Sequence, residues 1–289
     1  MRVLLTGSTG GLGRSLLPKL RQHYGENVYW TSRSGEPNTN YIAADLTVAS
    51  DVHSLIEKSC PDLIFHCSGS FKNDLKPDLD VNAFSCRLIL ESVAALGLKS
   101  RIVVFGSAAE YGVVSQEMNP VSEDRPLSPI SVYGFTKSVQ THLAQFYART
   151  QGTDVVIARV FNVLGKGFSQ KLFVGRAEEQ VRRYLAGEID KLEFGSLQSQ
   201  RDYISMDALF DQLLAIAKYG QKGEVYNVGS GRPIAMRKLL EDLVSAAGIP
   251  ISAIDEMPSK FSSRQGTDIP IIYADMGKTS RLLKRLNDV

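Results

Sequence analysis

The feature that most constrains the fold is a regular alternation of short β-branched runs with helix-period segments through residue 160. Val3–Thr6, Asn27–Ser32, Leu63–Cys67, Ile102–Phe105 and Val155–Val160 read as strands. Gly13–Tyr24, Asp51–Ser59, Asn82–Leu98 and Val132–Thr150 read as helices. A strand that returns through a helix to its neighbour runs parallel to it, so the pattern predicts the α/β class: a doubly wound parallel sheet (Rossmann) with helices on both faces. Ligands of such sheets gather at the carboxyl ends of the strands. After Asn162 the rhythm changes. Residues 165–175 read as a loop, Arg176–Leu185 as a helix, Asp202–Lys218 as a strand turning into a helix, and Met236–Ala247 as a last helix among short strands.

Composition narrows the classes. With 43% hydrophobic and 22% charged residues in 289, the chain can bury a real core, which excludes disorder. Lys and Arg total 33 against 31 Asp and Glu, so the net charge of +2 sets up no field for nucleic acid. An acidic small molecule would need local arginines. Cys60, Cys67 and Cys86 cannot all pair and show no metal-ligand spacing, which points to free thiols and a reducing compartment. The opening MRVLLTG leaves no room for a charged leader, and the apolar runs fall far short of the ~20 residues that span a bilayer. A cytoplasmic location is expected, with neither membrane nor metal partner.

Gly7, Gly10 and Gly13 follow the first strand and open a helix, with Thr9 and Leu12 between them. Such a turn brings backbone N–H groups and a positive helix end against a pyrophosphate. The glycine spacing is weak alone; the strand before it and the helix after it carry the reading. Sites that prefer NAD place an acid at the end of the second strand, to bond the ribose 2'-hydroxyl. That position here reads Thr31-Ser32-Arg33, whose guanidinium and two hydroxyls suit a 2'-phosphate, so NADP(H) is favoured over NAD(H). Arg14 is placed to assist, and Glu36 lies close enough to complicate the choice. Asp45 and Leu46 are placed to contact adenine, with helix or turn capping as the alternative for the acid. Ser68 follows the next strand and joins the cofactor set. The domains expected are a NADP-binding Rossmann domain of residues 1–165 and 202–222 and a smaller α/β substrate-binding lobe of residues 166–201 and 223–289.

Tyr133 and Lys137 stand four apart on a predicted helix and share a face, and Ser107 ends a strand where reacting groups collect. An ammonium beside a phenol favours phenolate, which lets Tyr133 exchange a proton with a carbonyl or alcohol near neutral pH. Ser107 would hold the same oxygen while hydride moves between cofactor and carbon.

On Thr6-GSTGGLG, Phe105-GSAAEYG, Tyr133-GFTK, Arg159-VFNVLGKG, Arg201-DYISMDAL and Gly223-EVYNVGSG, the chain resembles the extended short-chain dehydrogenases/reductases, the nucleotide-sugar epimerase/dehydratase/reductase family, over nearly its whole length. The resemblance implies Ser107 and Tyr133 as catalytic groups and Lys137 as ribose ligand and third catalytic residue. It also implies a positioning Asn82, a structural His66 and a homodimer paired through helices matching Asn82–Leu98 and Val132–Thr150. It implies a nucleotide-diphosphate sugar in the second lobe, with Asn162, Arg176, Arg201 and Arg264 as candidate ligands and Asp268 beside the last. Each arginine has a plain surface role as its alternative, as Phe168 and Phe173 have core packing instead of base stacking. Dehydratases of the family carry an acid directly after the catalytic hydroxyl, where this chain has Ala108-Ala109, with Glu110 one step beyond. The expected reaction is NADPH-dependent reduction of the 4-keto group of a nucleotide-linked 4-keto-6-deoxyhexose, with the proton from Tyr133. The alternative is a nucleotide-sugar 4-epimerase that holds NAD tightly.

Overall fold

The computed structural model describes residues 1–35, 39–257 and 269–288. Along the chain run β1 (Val3–Thr6), α1 (Gly11–Tyr24), β2 (Val28–Ser32), β3 (Tyr41–Ala43), α2 (Ala49–Ser59) and β4 (Leu63–His66). There follow α3 (Leu75–Leu79), α4 (Ser85–Ala95), β5 (Arg101–Ser107), α5 (Val132–Thr150) and β6 (Val155–Val160). Beyond them lie β7 (Asn162–Leu164), α6 (Phe173–Leu185), β8 (Leu192–Phe194), β9 (Gln200–Ser205), α7 (Met206–Tyr219) and β10 (Val225–Val228). The chain closes with β11 (Pro233–Ala235), α8 (Met236–Ala246), β12 (Ile254–Glu256), β13 (Ile271–Ile272) and α9 (Gly277–Asn287).

Seven strands form one parallel sheet in the order β10-β6-β5-β4-β1-β2-β3. The order reverses between β1 and β4, and the crevice beyond their carboxyl ends is the ligand site of such sheets. Strands covered on both faces must be apolar at every position, and β1, β4 and β6 are buried throughout. Alternate residues feed two layers. Leu5, Val103 and Phe105 pack under Leu16, Leu213 and Ile216, whereas Leu4, Ile64 and Val104 pack under Ile56, Ile89 and Leu90.

A smaller lobe sits beyond the strand ends. β9 is flanked by β11 and β13 and also pairs with β7, while β12 pairs with β8. Ala177, Phe194, Leu197, Leu240 and Val244 make its core. The division differs from the sequence reading at one boundary: β10, expected in the lobe, pairs in parallel with β6 and extends the main sheet. α7 explains this. It packs on the sheet beside β5 and β6 and returns the chain to that edge, where α9 then packs against α7. The loop expected through residue 175 ends earlier, because α6 starts at Phe173. Among the described residues no helix is long and apolar enough to cross a membrane.

Candidate active site

A single cavity of about 950 Å³ runs from the glycine loop across the strand ends into the smaller lobe. At its near end Gly7 turns with φ +71°, and a Cβ there would lie 2.8 Å from the backbone of Ser68. Gly13 is forced by contact, since a Cβ would stand 2.1 Å from the Gly7 carbonyl oxygen. Gly10 meets only ordinary contact and bonds its N–H to Gly7 at 3.1 Å. The first turn of α1 has neither a side-chain cap nor an acid, so its N–H groups face the cavity beside Thr9 and Leu12. Bare backbone of this kind fits a dinucleotide pyrophosphate. Arg14 does not line the cavity; its Nε bonds the Thr9 carbonyl at 2.6 Å and braces the loop.

At the adenosine end, Arg33 is exposed and lines the cavity with Asp45 and Leu46. Thr31 and Ser32 also line it: Ser32 donates to the Ser34 carbonyl at 2.8 Å, and Thr31 is fully buried. Asp45 accepts the Thr47 N–H at 2.9 Å and the Thr47 hydroxyl at 2.7 Å, the capping alternative. These bonds hold its carboxyl below the usual range, and the charge of Arg33 adds to the effect. Arg33 therefore shares this end of the cavity with an acid. Glu36 lies outside the described residues.

The reacting end is built from β5, α5 and the turn after β4. Ser107 caps the short helical turn Ala108–Tyr111, its hydroxyl accepting the Ala109 N–H at 3.2 Å. α5 starts after Pro129, capped by Ser131, and its first turn carries Tyr133 to the cavity floor. Burial pushes the Tyr133 phenol up to about 12, against the opposing hydrogen bond from Ser107. The Lys137 ammonium is occupied by the Phe105 carbonyl at 2.8 Å and Gln140 Oε1 at 2.9 Å, and burial lowers its pKa. Burial therefore sets the direction for Tyr133, and the expected lowering by Lys137 is not found.

Asn82 shapes the wall opposite. Its Oδ1 accepts the Ser70 N–H at 2.6 Å, and its Nδ2 donates to the Ser70 carbonyl at 3.0 Å and to Thr136 at 2.8 Å. A π-helical turn over Asp80–Phe84 presents it. His66 is buried between Thr6 at 2.9 Å and Ser85 at 3.2 Å, with its pKa lowered to about 3 by burial, so it stays neutral.

In the far half, Asn162 and Arg201 line the cavity. Asn162 donates to the Asp202 carbonyl at 3.0 Å, and Arg201 Nη1 to the Ile269 carbonyl at 2.5 Å. Arg176, half-buried on α6, is not among the lining residues, and Arg264 and Asp268 lie outside the described residues. Phe168 lines the cavity and packs over Gly11, where a Cβ would stand 2.9 Å from its ring; Phe173 lines it and stacks on Phe194 at 5.7 Å.

Among the lining residues that the sequence reading did not name are Phe71 and Lys171. Phe71 packs edge-on against Tyr133 at 4.9 Å, and Lys171 donates to the Phe71 carbonyl at 3.1 Å, joining the lobes over the pocket. Buried Asp78 orders that turn by accepting from the Ser70 hydroxyl at 2.5 Å and the N–H groups of Asn73 at 2.9 Å and Lys72 at 3.1 Å. The Ser-Phe-Lys-Asn-Asp composition signalled a turn; nothing signalled what it covers. Glu110, considered as an extra acid, is fully buried against Arg159 and does not line the cavity.

The chain is 26% identical over 203 residues to the GDP-6-deoxy-D-mannose reductase of Pseudomonas aeruginosa, covering 68% of this chain and 66% of that enzyme. It is 26% identical over 292 residues to the dTDP-6-deoxy-L-talose 4-dehydrogenase (NAD(P)(+)) of Kitasatospora kifunensis, covering 97% and 91%. The fold matches RMD from Pseudomonas aeruginosa complexed with NADPH at a TM-score of 0.84 and 21% identity, over 98% of this chain and 93% of that one. It matches DesIV, a dTDP-glucose 4,6-dehydratase from Streptomyces venezuelae with NAD bound, at 0.81 and 22%, over 98% and 91%.

The expected preference for NADP(H) over NAD(H) is corrected by these likenesses. Most similar structures whose dinucleotide is named carry NAD, DesIV among them. Locally, Arg33 shares its end of the cavity with the acid Asp45, and the Ser32 hydroxyl is given to the Ser34 carbonyl. Residues 3–229 match the model of the NAD dependent epimerase/dehydratase family, and the chain belongs to that family as an NAD(P)-dependent oxidoreductase.

Proposed function

We propose that this protein is a nucleotide-sugar 4-epimerase that holds NAD tightly. The observation that carries the reading is one continuous cavity lined by Ser107, Tyr133 and Lys137, with the bare glycine loop at one end and Asn162 and Arg201 at the other. Bound NAD would supply the two-electron acceptor and donor for C4, and inversion requires the 4-keto sugar to turn its opposite face to the nicotinamide before hydride returns. The chain's own groups manage the oxygen. Tyr133 takes the proton of the C4 hydroxyl and later returns it, while Ser107 donates to the same oxygen as charge grows there. Lys137 holds positive charge behind the phenol and bonds the ribose once it leaves the Phe105 carbonyl. Phe71 shields the phenol edge from water, which strengthens both contacts.

The substrate reading draws on relatives that include UDP-glucose 4-epimerases of Mycolicibacterium smegmatis and Lactobacillus helveticus, matched over 86% and 98% of this chain. Arg201 and Lys171 supply cations for the diphosphate. Residues 1–161 with α7, β10 and α9 form the cofactor half, and β7, α6, β8, β9, β11, α8, β12 and β13 form the sugar half. A second reading, a 4-ketoreductase with exchangeable cofactor, is favoured by the likeness to the reductase and to the 4-dehydrogenase matched over 97% of the chain. The two separate on one experiment: purify the protein, assay retained NAD, and supply UDP-, GDP- and dTDP-linked hexoses and their 4-keto forms. Retained NAD with interconversion of C4 epimers is expected. Net cofactor oxidation on 4-keto sugars without epimerisation selects the ketoreductase.

A further inference from the structure

Glu110 is completely buried behind Ser107, where β5, β6 and α5 meet. Its Oε1 accepts the Ser107 N–H at 2.6 Å. Its Oε2 accepts the Thr141 hydroxyl at 2.8 Å and the Arg159 guanidinium at 3.1 and 3.0 Å, through Nε and Nη2. Arg159, 1% exposed, also donates to the Tyr111 hydroxyl at 3.0 Å, which in turn donates to Asn227 at 2.7 Å. A buried charge pair is tolerated only when its donors and acceptors are satisfied in this way. Gly106 makes room for it, since a Cβ there would stand 2.6 Å from Glu110 Oε1.

Thr141 is the third residue of a row. Tyr133, Lys137 and Thr141 stand four apart on α5 and so lie along one face of the helix. Glu110 grips the lower end of that row with one oxygen and the backbone of Ser107 with the other.

We propose that Glu110 is a positioning residue, which ties Ser107 to α5 and to Arg159 and so sets the reach between the Ser107 hydroxyl and the Tyr133 phenol. The proposal rests on reading Ser107 and Tyr133 as the reacting pair. A backbone shift of β5 against α5 would lengthen the Ser107–Tyr133 contact without touching either ligand-binding end of the cavity. The carboxylate also acts through its charge, which raises the pKa of both Tyr133 and Lys137. The other groups around them are His66 on β4, Cys67 after β4, Asp78 on α3 and Cys86 on α4, with Arg159 and Tyr111 against Glu110 itself.

The test uses Glu110→Gln and Thr141→Val in the full chain loaded with NAD. Thr141→Val keeps the side-chain shape and the Arg159 pair and cuts only the tie to α5. In both variants kcat should fall by about tenfold or more for a misplaced pair, with KM and cofactor Kd within about twofold of the parent. In Glu110→Gln the acid limb of the pH–rate profile should also move to lower pH, because removing the negative charge eases ionisation of Tyr133. A purely structural role would lower Tm and leave both readouts in place. Folded Thr141→Val with unchanged kcat overturns the proposal, whatever becomes of Glu110→Gln. A parent that turns over no nucleotide sugar rejects the functional reading instead. The tie is then read from the ¹³Cζ resonance of Tyr133, assigned with Tyr133→Phe: Thr141→Val must shift it, and an unmoved signal overturns the proposal.

Discussion

Single side chains carry the sharpest consequences. Tyr133→Phe removes the proton carrier and keeps the ring, so turnover should fall by about 10²–10⁴-fold while retained NAD is unchanged, measured by assay and by nucleotide released on denaturation. Gly13→Ala places a Cβ 2.1 Å from the Gly7 carbonyl, an overpacking cost of about 1–3 kcal/mol together with lost cofactor retention, read by urea unfolding and the same release assay. His66 gives a pH signature. Its folded pKa, about 3, lies below the unfolded value of 6.5, so the unfolded chain binds the extra proton between them. Stability should be fully present above pH 6.5 and decline as pH falls toward 3, and the slope should flatten in His66→Gln. That Ser107, Tyr133, Lys137 and the glycines gather at one cavity was legible in the sequence, because their types and spacings fall at element ends. Phe71 and Lys171 were not, since their contact joins positions 100 residues apart and neither belongs to a periodic run.

At the scale of elements, strands buried on both faces were readable and the short strands of the smaller lobe were not. Val3–Thr6 and Val155–Val160 are continuous apolar runs and fall where the sequence places them. β7, β8, β11 and β12 have three residues each and β13 two, too short for an alternation to register. Their pairing comes from the tertiary frame. Asp202 is an example: buried on β9, it accepts from Ser230, Gly231 and Ala274 and stitches the lobe to the end of the main sheet. β10 was placed in the wrong lobe because its apolar run follows lobe residues in sequence, while only the packing of α7 shows its return to the sheet. The parallel core makes a direct prediction. Leu4, completely buried among Ile64, Ile56 and Val52, should cost about 2–5 kcal/mol when changed to Ala, measured by chemical denaturation.

The whole molecule divides its labour between a rigid sheet that presents the reacting groups and a lobe whose loops decide what reaches them. That division explains why the reaction class could be read and the cofactor preference could not. The sheet ends are specified by local runs, whereas Arg33 shares its end of the cavity with Asp45, which the chain brings there after a separate strand. Assembly belongs to this scale too. Phe84, Phe135 and Phe146 stay 40%, 45% and 49% exposed on or beside α4 and α5, apolar surface that a dimer would cover. Light scattering should therefore give about twice 31.8 kDa, a mass that a monomer would fail to reach. The central claim, one pocket where retained NAD exchanges hydride with C4 while Tyr133 handles the proton of the C4 oxygen, is tested most directly with a nucleotide hexose deuterated at C4. The account predicts the C4 epimer with its deuterium kept and no added cofactor consumed; an epimer that has lost the label to solvent, or equal turnover by Tyr133→Phe, would contradict it.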